Sequence, residues 1–404
     1  MDVLMLGWEF PPFFSGGLGT ACYGLSKGLS KHGVKVTFVM PNGPHDIKHD
    51  FLKKIIVTNS PNLKLKRVSS LLKPYLTSKS YSDMYAFLKS HGHNLMLYGQ
   101  DLFEEVHRFA EQVLEVTDEE EFEVIHCHDW MTFPAGINLK KIKKKPLVVQ
   151  VHATEWDRTG GLSANPEVYR IEKQGMPEAD KIITVSNYTK KKIIENYNIN
   201  PEKISVVYNA VEPINQDIPK HLINDKDKIV LFVGRLTLQK GPDYFIDVAK
   251  KVLEFNKNVK FIIAGSGDME RFLIEKATWL GISDKIFFTG FISSPEINKI
   301  YKMADVYVMP SVSDPFGITA LEAVSNKVPV LISKSCGVSE VLKNCLRVDF
   351  WDINEMTNKI LALLRYRELH ETIIENSYSE LDKFSWEKSA YETIQIYQSL
   401  IGGT

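Results

Sequence analysis

The chain has 404 residues, 44% hydrophobic and 25% charged, a globular composition with more length than one core usually takes, so two domains are expected. Its net charge of -1 excludes the strongly basic balance of a nucleic-acid binder. Cys22, Cys127, Cys336 and Cys345 stand apart as reduced thiols do, the first residues lack the basic stretch of a signal peptide, and no apolar run reaches bilayer length; a cytoplasmic protein without stable membrane insertion is expected.

Residues 2–6 form a short, nearly continuous apolar run, as in a parallel strand covered on both faces. The glycine-rich loop Ser15-Gly16-Gly17-Leu18-Gly19 follows, and Leu18, Ala21, Cys22, Leu25 and Leu29 then share one helical face until His32-Gly33 stops the helix. Val36 to Met40 reads as the next strand. Such a βαβ opening puts the loop and the helix N-terminus at the carboxyl edge of a sheet. Residues 44–100 show no clean period and carry no prediction.

The same grammar restarts with Ile229 to Val233, which runs into Gly234-Arg235, a loop to Lys240-Gly241, and a helix with Phe245, Val248, Ala249 and Val252 on one side. Phe261 to Ala264 enters Gly265-Ser266-Gly267-Asp268, and Val306 to Met309 enters Pro310-Ser311. The polar stretch between the halves, with Pro213 and Pro219, reads as a linker. The expected division is 1–212, a linker at 213–228, a second Rossmann-like unit at 229–380, and a terminal helix at 381–404 capped by Ser385 and packing back towards the first domain.

The segment from Pro310 to Ala323 carries the sharpest chemical signal. Asp314 falls in a loop and Glu322 one to two turns inside the helix that the loop opens. Free amides at Gly317, Ile318 and Thr319, at that helix N-terminus, form a site for a diphosphate. Alone, the pattern is equally compatible with a turn aspartate and a solvated helix glutamate. Arg235 and Lys240 shift the balance, because a planar guanidinium and a mobile ammonium at the neighbouring strand end can neutralise a leaving diphosphate without metal.

In the first half, Gly16 and Gly17 can turn backbone amides towards a ligand, and strands at 124–125 and 147–151 end in His126-Cys127-His128-Asp129-Trp130 and His152-Ala153-Thr154-Glu155. His126 and His128 lack the companions of a zinc site, so no metal is expected. The run Lys140 to Lys145 could attract an anionic lipid or acceptor, but reads first as a solvated loop. GxSxG, GKT/S and HExxH motifs are all missing, which weakens hydrolase, kinase and metalloprotease readings.

The assembly resembles the glycosyltransferases of the glycogen and starch synthase type, within the retaining GT-B enzymes. The resemblance rests on Trp8-Glu9-x-Pro11 with Gly16-Gly17-Leu18, Arg108-Phe109-Ala110, His128-Asp129-Trp130, His152, Val185-Ser186-x-Tyr188, Asn209, Gly234-Arg235 with Lys240-Gly241, Asp314 to Glu322, and Ser385-Trp386-Glu387. It implies an α/β GT-B fold, two Rossmann-like domains facing across a cleft, and hexosyl transfer from ADP-glucose or UDP-glucose to an α-glucan without cofactor or metal. It further implies that Arg235, Lys240, Gly16, Gly17 and the 317–319 amides hold the diphosphate and that Glu322 holds the ribose. Asn209, His152, Asp314 and Phe316 would then hold the sugar, with His152, Asp129 and Asp314 at the reaction centre.

Two positions depart from that pattern. Ser15 stands where such synthases commonly carry lysine, and Asp314 where glutamate is usual, shortening the reach by one methylene. A related transferase acting on a small sugar or lipid acceptor, and a non-catalytic nucleotide-sugar sensor, therefore stay open, and the polar segment 155–161 is a candidate acceptor determinant.

Overall fold

The computed structural model describes residues 1–11, 16–41, 63–68, 78–90, 100–161, 163–212, 214, 227–292 and 296–402. Ser15, nearly all of the expected linker and much of 44–100 lie outside them. The first half is an entirely parallel seven-stranded sheet in the order β3-β2-β1-β4-β5-β6-β7. Its strands are β1 (Asp2–Leu6), β2 (Lys35–Pro41), β3 (Leu63–Val68), β4 (Val124–His128), β5 (Leu147–Val151), β6 (Lys181–Thr184) and β7 (Ile204–Val206). The second half is a parallel six-stranded sheet in the order β10-β9-β8-β11-β12-β13. Here the strands are β8 (Lys228–Val233), β9 (Val259–Ala264), β10 (Ile286–Gly290), β11 (Val306–Met309), β12 (Val330–Ser333) and β13 (Leu346–Val348).

Parallel strands covered by helices on both faces have no solvent side, which is why β1 after Asp2 and the whole of β11 read as apolar runs. In each sheet the strand order reverses once, between β1 and β4 and between β8 and β11. At such a point the loops leaving adjacent strands diverge to opposite faces and open a crevice beyond the carboxyl ends. The four loops so placed are those at Gly16-Gly17, His128-Asp129, Gly234-Arg235 and Pro310–Gly317, the same segments singled out for chemistry.

The helix Trp386–Ile401 begins with Ser385 accepting from the Lys388 amide and returns to pack on the helix Gly17–Lys31. Glycine makes that approach possible: a Cβ at Gly24 would sit 2.2 Å from the Trp386 ring, and one at Gly28 2.4 Å from the Trp386 carbonyl oxygen. Further along, the buried Tyr397 hydroxyl meets His126 Nδ1 on β4, so this helix contributes to the core of the first sheet.

The two halves also touch beside the crevice. Ser186 Oγ, capping the helix Asn187–Tyr197, donates to the Pro315 carbonyl at 2.6 Å. Lys192 Nζ bridges Asp157 Oδ1 and Ser313 Oγ, 2.7 Å from each. Burial works against the Asp157 carboxylate, but Lys192 and its hydrogen bonds prevail and hold it below the ordinary range. The basic run has a structural use as well: Lys140 pairs with Asp180 at 2.7 Å and Lys143 with Asp118 at 3.1 Å. Among the described residues no helix is long and apolar enough to cross a membrane.

Candidate active site

On the second domain, β8 runs out at Val233 into Gly234, and the chain turns through Leu238–Lys240 before its next helix. Lys240 Nζ lies 2.5 Å from Asp314 Oδ2, which joins the β8 turn to the β11 loop. Gln239 fastens the same two loops, its carbonyl accepting from the Val312 and Ser313 amides at 3.0 and 3.3 Å, while its side chain accepts from Arg235 at 3.0 Å. Both cations thus sit at the loop that opens the helix Ile318–Ser325.

That helix starts at Gly317, whose φ of 94° lies in the left-handed region that side chains resist. The turn leaves the amides of Gly317, Ile318 and Thr319 without hydrogen-bond partners among the described residues, while Ala320 N–H is the first to close back, on the Gly317 carbonyl. Three open donors at the positive end of a helix, beside two cations, are suited to a diphosphate. Glu322 lies one turn further on, where Tyr301 O–H donates to its Oε2 at 2.9 Å. Burial pushes the Glu322 carboxyl above its ordinary range, and the Tyr301 hydroxyl opposes that shift. Tyr307 aligns the same turn by donating to Thr319 Oγ1 at 2.8 Å.

Across the crevice, the turn after β5 carries the short helix Glu155–Arg158, which packs against Leu238–Lys240 and so brings the His152 segment to the Lys240 turn. His152 Nε2 faces His128 Nδ1 at 2.9 Å; its Nδ1 has no partner among the described residues. Burial lowers the proton affinity of His152 despite Asp129 nearby, and that of His128 falls further, so both rings are neutral at pH 7.

Three of the expected residues are engaged by the protein itself. Asp129, expected at the reaction centre, is 4% exposed and its carboxylate is fully employed. Oδ1 accepts from the His152 and Ala153 amides at 2.7 and 3.3 Å, and Oδ2 lies 3.4 Å from Arg158. These contacts hold Asp129 at a φ of 60°, strained for a non-glycine residue, and make it the clamp that positions His152. Phe316, expected on the sugar, is 2% exposed with its ring against Tyr208, and its amide donates to Asp314 at 3.3 Å. Gly16 does not present its amide to a ligand because Glu9 accepts from it; Gly17 stays exposed.

Asn209, expected on the sugar, lines a pocket with Tyr208, Lys383, Lys388, Ser389 and Glu392 at the foot of the returning helix, next to the Tyr208 ring that meets Phe316 of the 310–317 loop. The 155–161 segment turns its charges inward: Arg158 binds Glu172 at 3.0 Å, and Asp157 binds Lys192. Tyr301 and Arg158 escaped sequence reasoning as site residues. Tyr301 is hidden in an ordinary apolar helix stripe, whereas Arg158 stood in a visibly polar segment whose burial no local pattern announces.

Comparison with known proteins accords with this geometry. Residues 2–202 match the starch synthase catalytic domain, and residues 213–380 match the glycosyl transferases group 1 family. The chain is 33% identical to an uncharacterised glycosyltransferase of Methanocaldococcus jannaschii, covering 98% of each, and 25% identical to glycogen synthase of Mycobacterium tuberculosis, covering 98% of the chain and 94% of the relative. Among solved structures it is similar to sucrose-phosphate synthase of Thermosynechococcus elongatus, with TM-score 0.79, 19% identity and all of both chains covered. It is also similar to HepE of Anabaena in complex with UDP and glucose, with TM-score 0.72, 17% identity, and 99% and 100% covered. The protein belongs to the group 1 glycosyltransferases, with the GT-B fold and a first domain of the starch synthase type.

Proposed function

We propose that the protein transfers a glucosyl group from ADP-glucose or UDP-glucose to the end of an α-glucan, with retention of anomeric configuration and without metal. The observation that carries this reading is the conjunction of the open amides at 317–319 with Arg235 and Lys240 at one loop. Charge develops on the departing diphosphate, and preorganised donors that need no reorientation stabilise it there. Lys240 has three N–H groups, so it can keep Asp314 while donating to a phosphate oxygen. Glu322, its Oε2 taken by Tyr301, offers Oε1 to a ribose hydroxyl. His152, fixed by Asp129 through the backbone, offers Nδ1 to the sugar.

In the proposed step the bond from the anomeric carbon to the phosphate oxygen breaks as the acceptor oxygen bonds to the same face. The acceptor hydroxyl proton passes to the departing phosphate. Closure of the domains would exclude water, the competing acceptor. The test is nucleotide release from ADP-glucose and UDP-glucose with and without malto-oligosaccharide, with the product anomer read by NMR. Release that requires both substrates and yields an α-linked product is expected. Nucleotide binding without turnover on any saccharide would overturn the reading in favour of a sensor, and transfer only to a small polyol or lipid would move the acceptor. Glu322→Ala and Lys240→Ala are each expected to cripple transfer in a folded protein.

A further inference from the structure

At the switch point of the first sheet, Cys22, His128 and His152 each bring one ligand-type atom within 4.8 Å of the other two, the one such group of three among the described residues. They come from three elements: the helix Gly17–Lys31, the last residue of β4, and the turn after β5. The two imidazole nitrogens that face each other are 2.9 Å apart. Two imidazoles on one four-coordinate zinc, with bonds of about 2.0–2.1 Å at tetrahedral angles, hold their nitrogens about 3.3–3.4 Å apart, so the ion would replace the hydrogen bond between the rings with a shift of about 0.4 Å. One thiolate with two imidazoles is a donor set that zinc, cobalt and copper accept and that magnesium and calcium refuse.

A second observation concerns His128. Its Nε2, the ring nitrogen that does not face His152, is buried without a hydrogen-bond partner among the described residues, so no contact there fixes which nitrogen carries the proton, and Nδ1 can be the bare one that a metal needs. Cys22 and His128 are buried, while His152 is only half-buried, which provides an entry path and a fourth coordination position from the cleft side.

We propose that Cys22, His128 and His152 form a capture site for a zinc-type divalent ion, and that its occupation stops transfer by seating the ion on His152 Nε2, which holds the ring against Cys22 and His128 and draws its Nδ1 off the sugar contact proposed above. Binding replaces the Cys22 thiol proton with the metal and releases that proton to solvent, with no change of oxidation state. The inhibitory part rests on the role proposed above for His152; the metal binding does not.

Cobalt(II) is the probe. Added to the chelator-treated full chain, it should bind once per chain with thiolate-to-cobalt absorption in the near ultraviolet and intense visible bands of a four-coordinate ion, all displaced by zinc. Cys22→Ser should lose the near-ultraviolet absorption, and Cys336→Ser should keep it; Cys22→Ala serves in place of Cys22→Ser should that variant misfold. In the transfer assay, Cys22→Ser should match the parent without metal and require roughly 10–100-fold more zinc for half-inhibition, the range lost when a site's supporting groups are removed. Cobalt bands that persist in Cys22→Ser, or no binding at a stoichiometric addition, overturn the site. Binding with undiminished transfer upholds the site and overturns the inhibition, so failure of the metal site and failure of the His152 assignment are read separately.

Discussion

Replacing Lys240 by alanine removes the ammonium 2.5 Å from Asp314 and leaves a carboxylate that is 3% exposed. What remains around it is weak: Ser311 Oγ at 3.4 Å and the Phe316 amide at 3.3 Å. Stripping one partner from a buried ion pair costs about 3–5 kcal/mol, because a desolvated charge is left uncompensated. Water reaches this pair from the lysine side, where 19% of the side chain is exposed, so the lower figure of about 3 kcal/mol applies. Asp314→Asn in the same chain removes that charge and should restore most of the stability. It should not restore transfer, which is expected to fall about 100–1000-fold with the loss of a donor to the developing diphosphate charge. Denaturant unfolding of the two single variants and the double variant measures the coupling, and nucleotide release measures the chemistry. Stability effects that add within about 0.5 kcal/mol would show that the pair is not coupled and refute the reasoning.

Tyr301→Phe removes the hydrogen bond to Glu322 and should weaken nucleotide binding by about tenfold, the equivalent of roughly 1.4 kcal/mol. Calorimetry with ADP and UDP decides this, and unchanged affinity for both would remove Tyr301 from the site. Gly28→Ala sets a Cβ 2.4 Å from the Trp386 carbonyl oxygen and 2.9 Å from the Ala390 Cβ, so a loss of about 1–3 kcal/mol is expected, together with faster proteolysis within 386–401. A thermal midpoint equal to that of the parent would contradict the close approach of the two helices. Burial pushes Glu172 up to about 7 even though Arg158 lowers it. A raised carboxylate contributes stability that is full below its unfolded value of about 4.5 and is lost as pH rises through 7, at no more than about 1.4 kcal/mol per pH unit. Glu172→Gln should flatten that decline between pH 5 and 7.5; parallel pH profiles for the two proteins would refute the assignment.

The strands were legible because doubly covered parallel strands are predominantly apolar: the runs at 2–6 and 229–233 match β1 and β8 to within a residue. The cations and carboxylates of the second domain were legible for a related reason, since a strand end followed by glycine and a charge places that charge at the sheet's carboxyl edge. Pairings between distant residues were not. Nothing local joins Lys240 to Asp314, Tyr301 to Glu322 or Arg158 to Asp129; these contacts exist only once the crossovers have set the strand order. Phe316 was placed on the sugar by the resemblance alone, and nothing local announces that Tyr208 and the core enclose its ring. Gly24 and Gly28 are unfavourable inside a helix by propensity, and their use appears only with a partner helix lying across them.

That partner helix bears on the order in which the molecule can be made. Lys31 pairs with Glu387 across 356 residues of chain, and the space beside Gly24 and Gly28 is taken up by Trp386 and Ala390. Synthesis proceeds at about 5–20 residues per second, so roughly 18–70 s separate the appearance of the groove from that of the segment that fills it. During that interval the first sheet exists without its last layer, with His126 lacking Tyr397 and an apolar channel open along the helix Gly17–Lys31. The first domain is thus the earlier to be started and among the last to be finished, because residues that complete its packing lie at the far end of the chain.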